Sequence, residues 1–336
     1  MIDPKFPLID LHRHLDGSLH LETILDLGRK YNVALPAWTP EELRPHVQVT
    51  EPQPGVMAFI SKFKWLTEVL VNPDACRQVA YENMRYAKEE GIDYLELRFS
   101  PWFMAERHQL DSDAVIEAVI EGVRLGSADT GVKVNLIGIL SRTYGPDIAW
   151  KELESLLRYR DQICGLDLAG DEANYPGEWF VEHFKKAREA GWAITVHAGE
   201  SAGAQSIWQA IDQLGAQRIG HGIQAVKDER LLKTLAERGI GIETNLTSNV
   251  QTSSVKDYLS HPLKEFLAAG ILASINSDDP GISGIDLPYE YEVAAPKAGL
   301  TTKEILQAQH NALATAFLSE DERLVLLQHK TGRMRL

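Results

Sequence analysis

Three histidines and a carboxylate in this sequence stand where they can act on a bond. Asp10-Leu11-His12-Arg13-His14 carries two imidazoles two residues apart, and on a strand such side chains share one face. Three more segments place titratable residues just past a β-rich run: Thr195-Val196-His197-Ala198-Gly199-Glu200, Ile219-Gly220-His221-Gly222 and Ile275-Asn276-Ser277-Asp278-Asp279-Pro280. Each has a bland explanation when taken singly. An HxH pair arises by chance, His197 can be a satisfied core histidine, and Asp278-Asp279-Pro280-Gly281 is a good turn or cap. Their coincidence at the ends of several strands points instead to one site.

His12, His14, His197 and Asp278 supply three nitrogens and one oxygen, a donor set suited to zinc, with cobalt, iron or manganese as substitutes. One Zn2+ per chain is the expectation. Zinc can expand to five-coordinate and lower the pKa of a bound water toward ~7, which makes a nucleophile at neutral pH. Glu200, His221 and Asp279 are not needed as ligands. They are left to move protons, each such transfer being worth about 10²–10⁴ in rate. Together these residues are the minimum for hydrolysis of a C–N or C–O bond.

The elements that must carry them alternate. β-branched runs fall at residues 8–12, 92–98, 132–140, 163–169, 193–197, 218–220, 239–243 and 272–276. Amphipathic patterns lie between them at 114–129, 148–159, 178–190, 206–214, 229–238 and 255–268. Asp111 or Ser112 can cap the first of these, and Gly191, Gly215, Gly239 and Gly270 follow helical segments where a C′ glycine is expected. Eight such repeats predict an α/β fold, a (β/α)8 TIM barrel, with a doubly wound sheet as the alternative. A helical insertion over 15–91, with patterns near 23–31 and 56–70, follows the first strand, and two closing helices follow Thr301. The whole chain, 1–336, reads as a single domain.

Composition removes other classes. The chain has 336 residues, 44% hydrophobic and 24% charged, as in an ordinary globular protein. Its net charge of −14 repels phosphate backbones and anionic lipid, so neither nucleic acid nor membrane is an expected partner. Cys76 and Cys164 are too few for a disulfide framework, an iron–sulfur cluster or a Cys-rich zinc site. There is no signal peptide or spanning segment, which predicts a cytoplasmic protein. Cys164 reads as an inert core thiol, and Glu96 and Arg98 as a buried ion pair. Phe59, Phe63 and Trp65 in the insertion serve either as packing or as the wall of a pocket.

The segments LHRHLDGS (11–18), ELRFSP (96–101), GLDLAGDE (165–172), TVHAGE (195–200), IGHG (219–222), TSN (247–249) and SINSDDPG (274–281) resemble the adenosine deaminase family, in family order over nearly the whole chain. The resemblance, to the bacterial type, implies a zinc barrel that hydrolyses the 6-amino group from adenosine and 2′-deoxyadenosine in purine salvage. It implies His12, His14, His197 and Asp278 as zinc ligands and Glu200 as the acid that protonates purine N1. His221 is implied as base and electrostatic anchor, and Asp279 as the partner of N7. Gly170 would offer its N–H to N3 and Asp16 would hydrogen-bond the ribose, with His14 counted among the substrate-binding residues as well as the zinc ligands. Related adenine deaminases carry HIEG or HLEG where this chain has HLDG, so Asp16 favours a nucleoside over the free base. Asn245 stands where many relatives have cysteine, which predicts a difference in local packing or pocket access. The cytidine-type deaminases use a Cys-rich zinc site on another fold, which this chain cannot build. Free adenine or a modified adenosine is the rival substrate. A retired, non-catalytic zinc barrel is the rival of another class, disfavoured by the intact Glu200, His221 and Asp279.

Overall fold

The computed structural model describes residues 2–333 and shows eight strands in one sheet, each parallel to its neighbour in chain order. The strands are β1 (Ile9–His14), β2 (Tyr94–Phe99), β3 (Lys133–Ser141), β4 (Ile163–Ala169), β5 (Ala193–Ala198), β6 (Arg218–His221), β7 (Gly241–Thr244) and β8 (Ala273–Ile275). The ring closes through backbone bonds past the end of β8: the Asp278 N–H donates to His12 O (2.8 Å) and the His14 N–H to Asp278 O (2.9 Å). Closure selects the barrel over the doubly wound alternative. The two ring-closing bonds also fasten two histidines to a carboxylate.

Local chemistry explains most boundaries. Helix Ser112–Thr130 starts where Asp111 accepts from the Asp113 N–H, and ends where Gly131 takes the left-handed conformation. Helix Glu229–Arg238 matches its expected limits, capped by Asp228 and stopped by Gly239 at φ 64°. The expected helix over 255–268 is instead a short turn, Tyr258–Ser260, followed by helix Leu263–Ala268. Pro262 explains the break, because its ring clashes with a preceding helical turn. In the insertion, helices Leu21–Tyr31, Pro40–Val47 and Pro73–Glu89 flank a broken helical stretch over 56–68. Helix Pro73–Glu89 had no counterpart among the expected elements, although Asn72 caps it through the Ala75 N–H and proline opens it. Helices Thr302–Thr315 and Glu320–Arg333 follow β8, as expected of the tail.

The interior below the site is charged. Arg98 binds Asp167 (2.8 Å) and Glu243 (2.8 Å), while Arg218 binds Glu243 (2.6 Å) and also Glu96. All five are fully buried or nearly so. Glu96 and Arg98 therefore belong to one network, but each pairs with other residues rather than with its neighbour two positions away. The C-terminal segment plugs the bottom: Phe317 donates its N–H to Glu96 (2.6 Å) and lies under the Arg218 guanidinium. Cys164 sits in this environment with its thiol pushed up by burial, consistent with an inert side chain.

Candidate active site

Strand ends deliver the chemistry. β1 ends in His14, β5 contributes His197, β6 ends in His221, and Asp278 follows β8, so all converge at the C-terminal mouth where barrels keep their sites. One ligand atom from each of His12, His197, His221 and Asp278 lies within 4.8 Å of all the others, and His14, Asp278 and Asp279 form an overlapping group. His14 Nε2 lies 3.2 Å from His197 Nε2 and 3.3 Å from Asp278 Oδ1, and His12 Nε2 lies 3.1 Å from the same oxygen. Buried His12 Nε2 has no hydrogen-bond partner among the described residues. A lone pair left in this state beside two facing imidazole nitrogens suits a cation between them. The residues present fit a metal ion.

Carboxylates behind the histidines fix which nitrogen faces inward. Glu243 lies 2.7 Å from His12 Nδ1, and Asp167 lies 2.9 Å from His197 Nδ1, so both rings are turned with Nε2 toward the cluster. Burial would raise both carboxylates. The Arg98 and Arg218 guanidiniums beside Glu243, and the His197 ring and Arg98 beside Asp167, override it and hold them well below the usual range. Asp167 is placed by the sheet itself. The β4–β5 ladder pairs only Gly165 with Ala193 and Leu166 with Ile194, and beyond it the Asp167 side chain takes the His197 N–H (3.2 Å). Gly220 makes room for the His12 ring, since a Cβ there would lie 2.9 Å from His12 Cε1.

Glu200, Asp279 and Asp16 have the opposite electrostatics. Burial, reinforced by Asp278, Glu172 and Asp279, pushes the Glu200 carboxyl well above its usual range. Burial with Asp278 and Asp16 does the same for Asp279. Burial raises Asp16 to about 6. Asp278 goes the other way, held ionised against burial by His12 and His221. The cluster thus pushes its carboxyls in opposite directions, the usual arrangement where acid and base roles are divided. Asp16 Oδ1 and Asp279 Oδ1 are buried without a hydrogen-bond partner among the described residues. Glu172, in a segment quoted above without a role, accepts the N–H groups of Gly199 (2.6 Å), Glu200 (3.1 Å), Ser201 (2.8 Å) and Ala202 (3.0 Å) and so fixes the loop carrying Glu200.

These groups line a cavity of about 290 Å³ that includes His14, Asp16, Gly170, His197, Glu200, His221, Asp278 and Asp279. His12 does not line it and reaches the cluster from beneath. Phe59 and Phe63 form part of its wall while remaining buried, whereas Trp65 is not among the lining residues. Gly170 has φ 112°, and a Cβ there would meet Thr143 Oγ1 at 2.4 Å, so only glycine fits without strain. His221 and Asp278 also hold left-handed backbone, at φ 64° and 61°, which no sequence signal announced. Asn245 does not line the cavity. It is buried against the His221 ring, its amide nitrogen 3.3 Å from Nδ1 and 3.5 Å from Nε2.

A closed (β/α)8 barrel with histidines and carboxylates gathered at its mouth defines a barrel enzyme whose site can hold a metal ion. The adenosine deaminase family model matches residues 7–330. The chain is 56% identical over 330 residues to an adenosine deaminase of Edwardsiella ictaluri, covering 98% of this chain and 99% of that one. It is 57% identical to an adenosine deaminase of Klebsiella pneumoniae, covering 98% of each. Among solved structures it is similar to an adenine deaminase from Arthrobacter aurescens (TM-score 0.89, 26% identity, 98% of this chain and 100% of that one). It shares its fold with an amidohydrolase from Burkholderia ambifaria solved with bound zinc (TM-score 0.87, 22% identity, 99% and 91% covered). This chain belongs to the adenosine deaminase family. Among the described residues no helix is long and apolar enough to cross a membrane.

Proposed function

We propose that this chain, acting as one barrel domain with one zinc ion, hydrolyses adenosine and 2′-deoxyadenosine to inosine, 2′-deoxyinosine and ammonia in cytoplasmic purine salvage. Its partners are then these nucleosides and water, without nucleic acid or membrane. One observation carries the reading: the same cavity that meets the His/Asp cluster is lined by the Glu200 and Asp279 carboxyls, whose proton affinity burial and neighbouring carboxylates raise. Purine N1 and N7 are acceptors, and a carboxylic acid can donate to them where a carboxylate cannot.

His12, His14, His197 and Asp278 are the residues that would hold zinc. When bound there, zinc supplies a water acidic enough to attack at neutral pH. Glu200 protonates N1 and withdraws electron density from C6, the carbon that loses nitrogen. Asp279 donates to N7 and fixes the ring plane, while the Gly170 N–H faces N3. Asp16 and His14 take the sugar hydroxyls, and a free base would leave the buried Asp16 oxygen unpaired, a strong basis for rejection. His221, whose Nε2 lies 3.7 Å from Glu200 Oε2 and 3.8 Å from Asp278 Oδ2, anchors the attacking water. Ordered binding of this kind accounts for a large share of rate, since it replaces encounter with a fixed geometry.

The test is the ultraviolet change from adenosine to inosine with purified protein, before chelation, after it, and after zinc is returned. Chelator-sensitive turnover restored by zinc, with adenosine preferred to adenine, is the expected result. Absence of turnover by zinc-loaded protein, or preference for adenine, would overturn the assignment.

A further inference from the structure

Behind His221, away from the cavity, lies a buried chain of hydrogen bonds that the reaction outlined above does not use. The Leu263 N–H donates to His261 Nδ1 (3.1 Å), His261 Nε2 lies 3.1 Å from Asn249 Oδ1, and Asn249 Nδ2 lies 2.9 Å from His221 Nδ1. His221, Asn249 and His261 are all buried. On the other side of the ring, His221 Nε2 faces Glu200 Oε2 (3.7 Å) and Asp278 Oδ2 (3.8 Å).

The direction of every bond follows from its first member. A backbone N–H can only donate, so His261 Nδ1 must present a lone pair and its ring proton must sit on Nε2. That proton points at Asn249, which therefore accepts through Oδ1 and turns its NH2 toward His221. The Asn245 amide nitrogen lies 3.3 Å from Nδ1 and 3.5 Å from Nε2 of His221, against the ring, so the shorter Asn249 contact sets the Nδ1 partner. His221 Nδ1 accepts, and the ring proton is left on Nε2, toward the site. Reversing the Asn249 amide would require His261 Nδ1–H to face the Leu263 N–H, two donors in contact. Burial also pushes His261 down to about 3, so it stays neutral and keeps its lone pair.

We propose that Asn249 and His261 are positioning residues that lock His221 in the Nε2–H tautomer, so that it presents a hydrogen-bond donor to the reaction site. This rests on the adenosine deaminase reading for its kinetic consequence but not for the tautomer itself. Of the two roles expected of His221, base and electrostatic anchor, the relay selects the second, because the nitrogen facing the site already carries its proton. The TSN segment acquires a function here: it delivers Asn249 one helical turn after β7, within reach of the end of β6.

The experiment is long-range proton–nitrogen correlation on the zinc-loaded protein labelled with nitrogen-15 histidine, the His221 signals being identified by their loss in His221→Asn. Wild type is expected to show an unprotonated Nδ1 and a protonated Nε2 at His221. In Asn249→Asp the side chain can only accept, so the proton is expected to move to Nδ1, with kcat for adenosine falling about 10- to 100-fold. KM in that variant is expected to change by less than about threefold. His261→Phe removes the donor that orients Asn249 and is expected to lose the single tautomer. His261→Gln returns an N–H donor and is expected to restore both the pattern and kcat to within about threefold of wild type. The two His261 variants decide the matter if Asn249→Asp does not fold. A wild-type His221 protonated at Nδ1, or a His261→Phe protein with unchanged pattern and kcat, would overturn the proposal. The spectrum needs no substrate, so a protein that ignores adenosine yet shows the expected pattern would refute the substrate reading alone.

Discussion

Glu200→Gln separates proton transfer from everything else the residue does. The two side chains have the same shape, and the loop that presents them is held by Glu172 through backbone N–H groups that the substitution leaves in place. Glutamine can still donate a hydrogen bond to a ring nitrogen but has no proton to give up. Binding should therefore survive and the chemical step should not. General acid catalysis is worth about 10²–10⁴, so kcat is expected to fall by that factor, a barrier increase of roughly 2.7–5.4 kcal/mol. KM should stay within about a factor of five. Asp278, Glu172 and Asp279 oppose its charge more than Arg142 favours it, so its removal relieves repulsion and no loss of thermal stability is expected. Glu200 is outside the cluster of converging ligand atoms, so zinc content should be unchanged. Steady-state deamination, zinc analysis by mass spectrometry and a thermal melt on the same preparation read all three. Turnover within about tenfold of wild type would refute the acid role, and loss of zinc alongside activity would refute its separation from the metal.

Glu243→Gln strips one charge from a carboxylate that serves Arg98, Arg218 and His12 together. Leaving those guanidiniums partly uncompensated should cost about 3–5 kcal/mol in chemical denaturation. Zinc affinity, read by chelator competition, should weaken about 10- to 100-fold. Gly17→Ala places a Cβ 1.6 Å from Asp279 Oδ1, so the Asp279 carboxyl must move. Turnover per KM should fall at least about tenfold while zinc content holds, as steady-state kinetics with metal analysis will show. His261, whose folded value near 3 lies below its ordinary 6.5, must lose its proton on folding. Its share of stability is complete above pH 6.5 and is lost as pH falls toward 3, at up to about 1.4 kcal/mol per pH unit. Urea titrations across that window should show a flatter acid limb in His261→Gln, and parallel curves would contradict a buried neutral ring.

The readable part of this protein was whatever local sequence decides. β4 at Ile163–Ala169 and the helix Glu229–Arg238 fell where they were expected, because a short, mostly apolar run and a pair of caps settle each without help from the rest of the chain. The candidate site histidines were legible because each lies in the C-terminal half of a strand, and a barrel brings strand ends together. Three supporting carboxylates carried no such mark. Asp167 acts where the β4–β5 ladder stops, Glu172 acts on a loop from the next strand, and Glu243 reaches across the barrel to His12. Those relations depend on register and closure, which residue order does not state. The helix expected over 255–268 failed for a local reason, Pro262, and its broken geometry is what puts His261 beside Asn249.

The left-handed backbone at His221 and Asp278 has an evolutionary side. A non-glycine residue in that region is disfavoured by roughly 1–2 kcal/mol, less so for asparagine, aspartate and histidine than for other side chains, and glycine escapes the cost. At position 221 the fold therefore accepts a worse local conformation in exchange for an imidazole aimed at the cavity. Selection for heat resistance alone would drift toward glycine there, giving a firmer barrel with an idle mouth. Thermostabilised descendants of this chain that retain turnover should carry their gains elsewhere, in the helices and the tail, and leave His221 as it is.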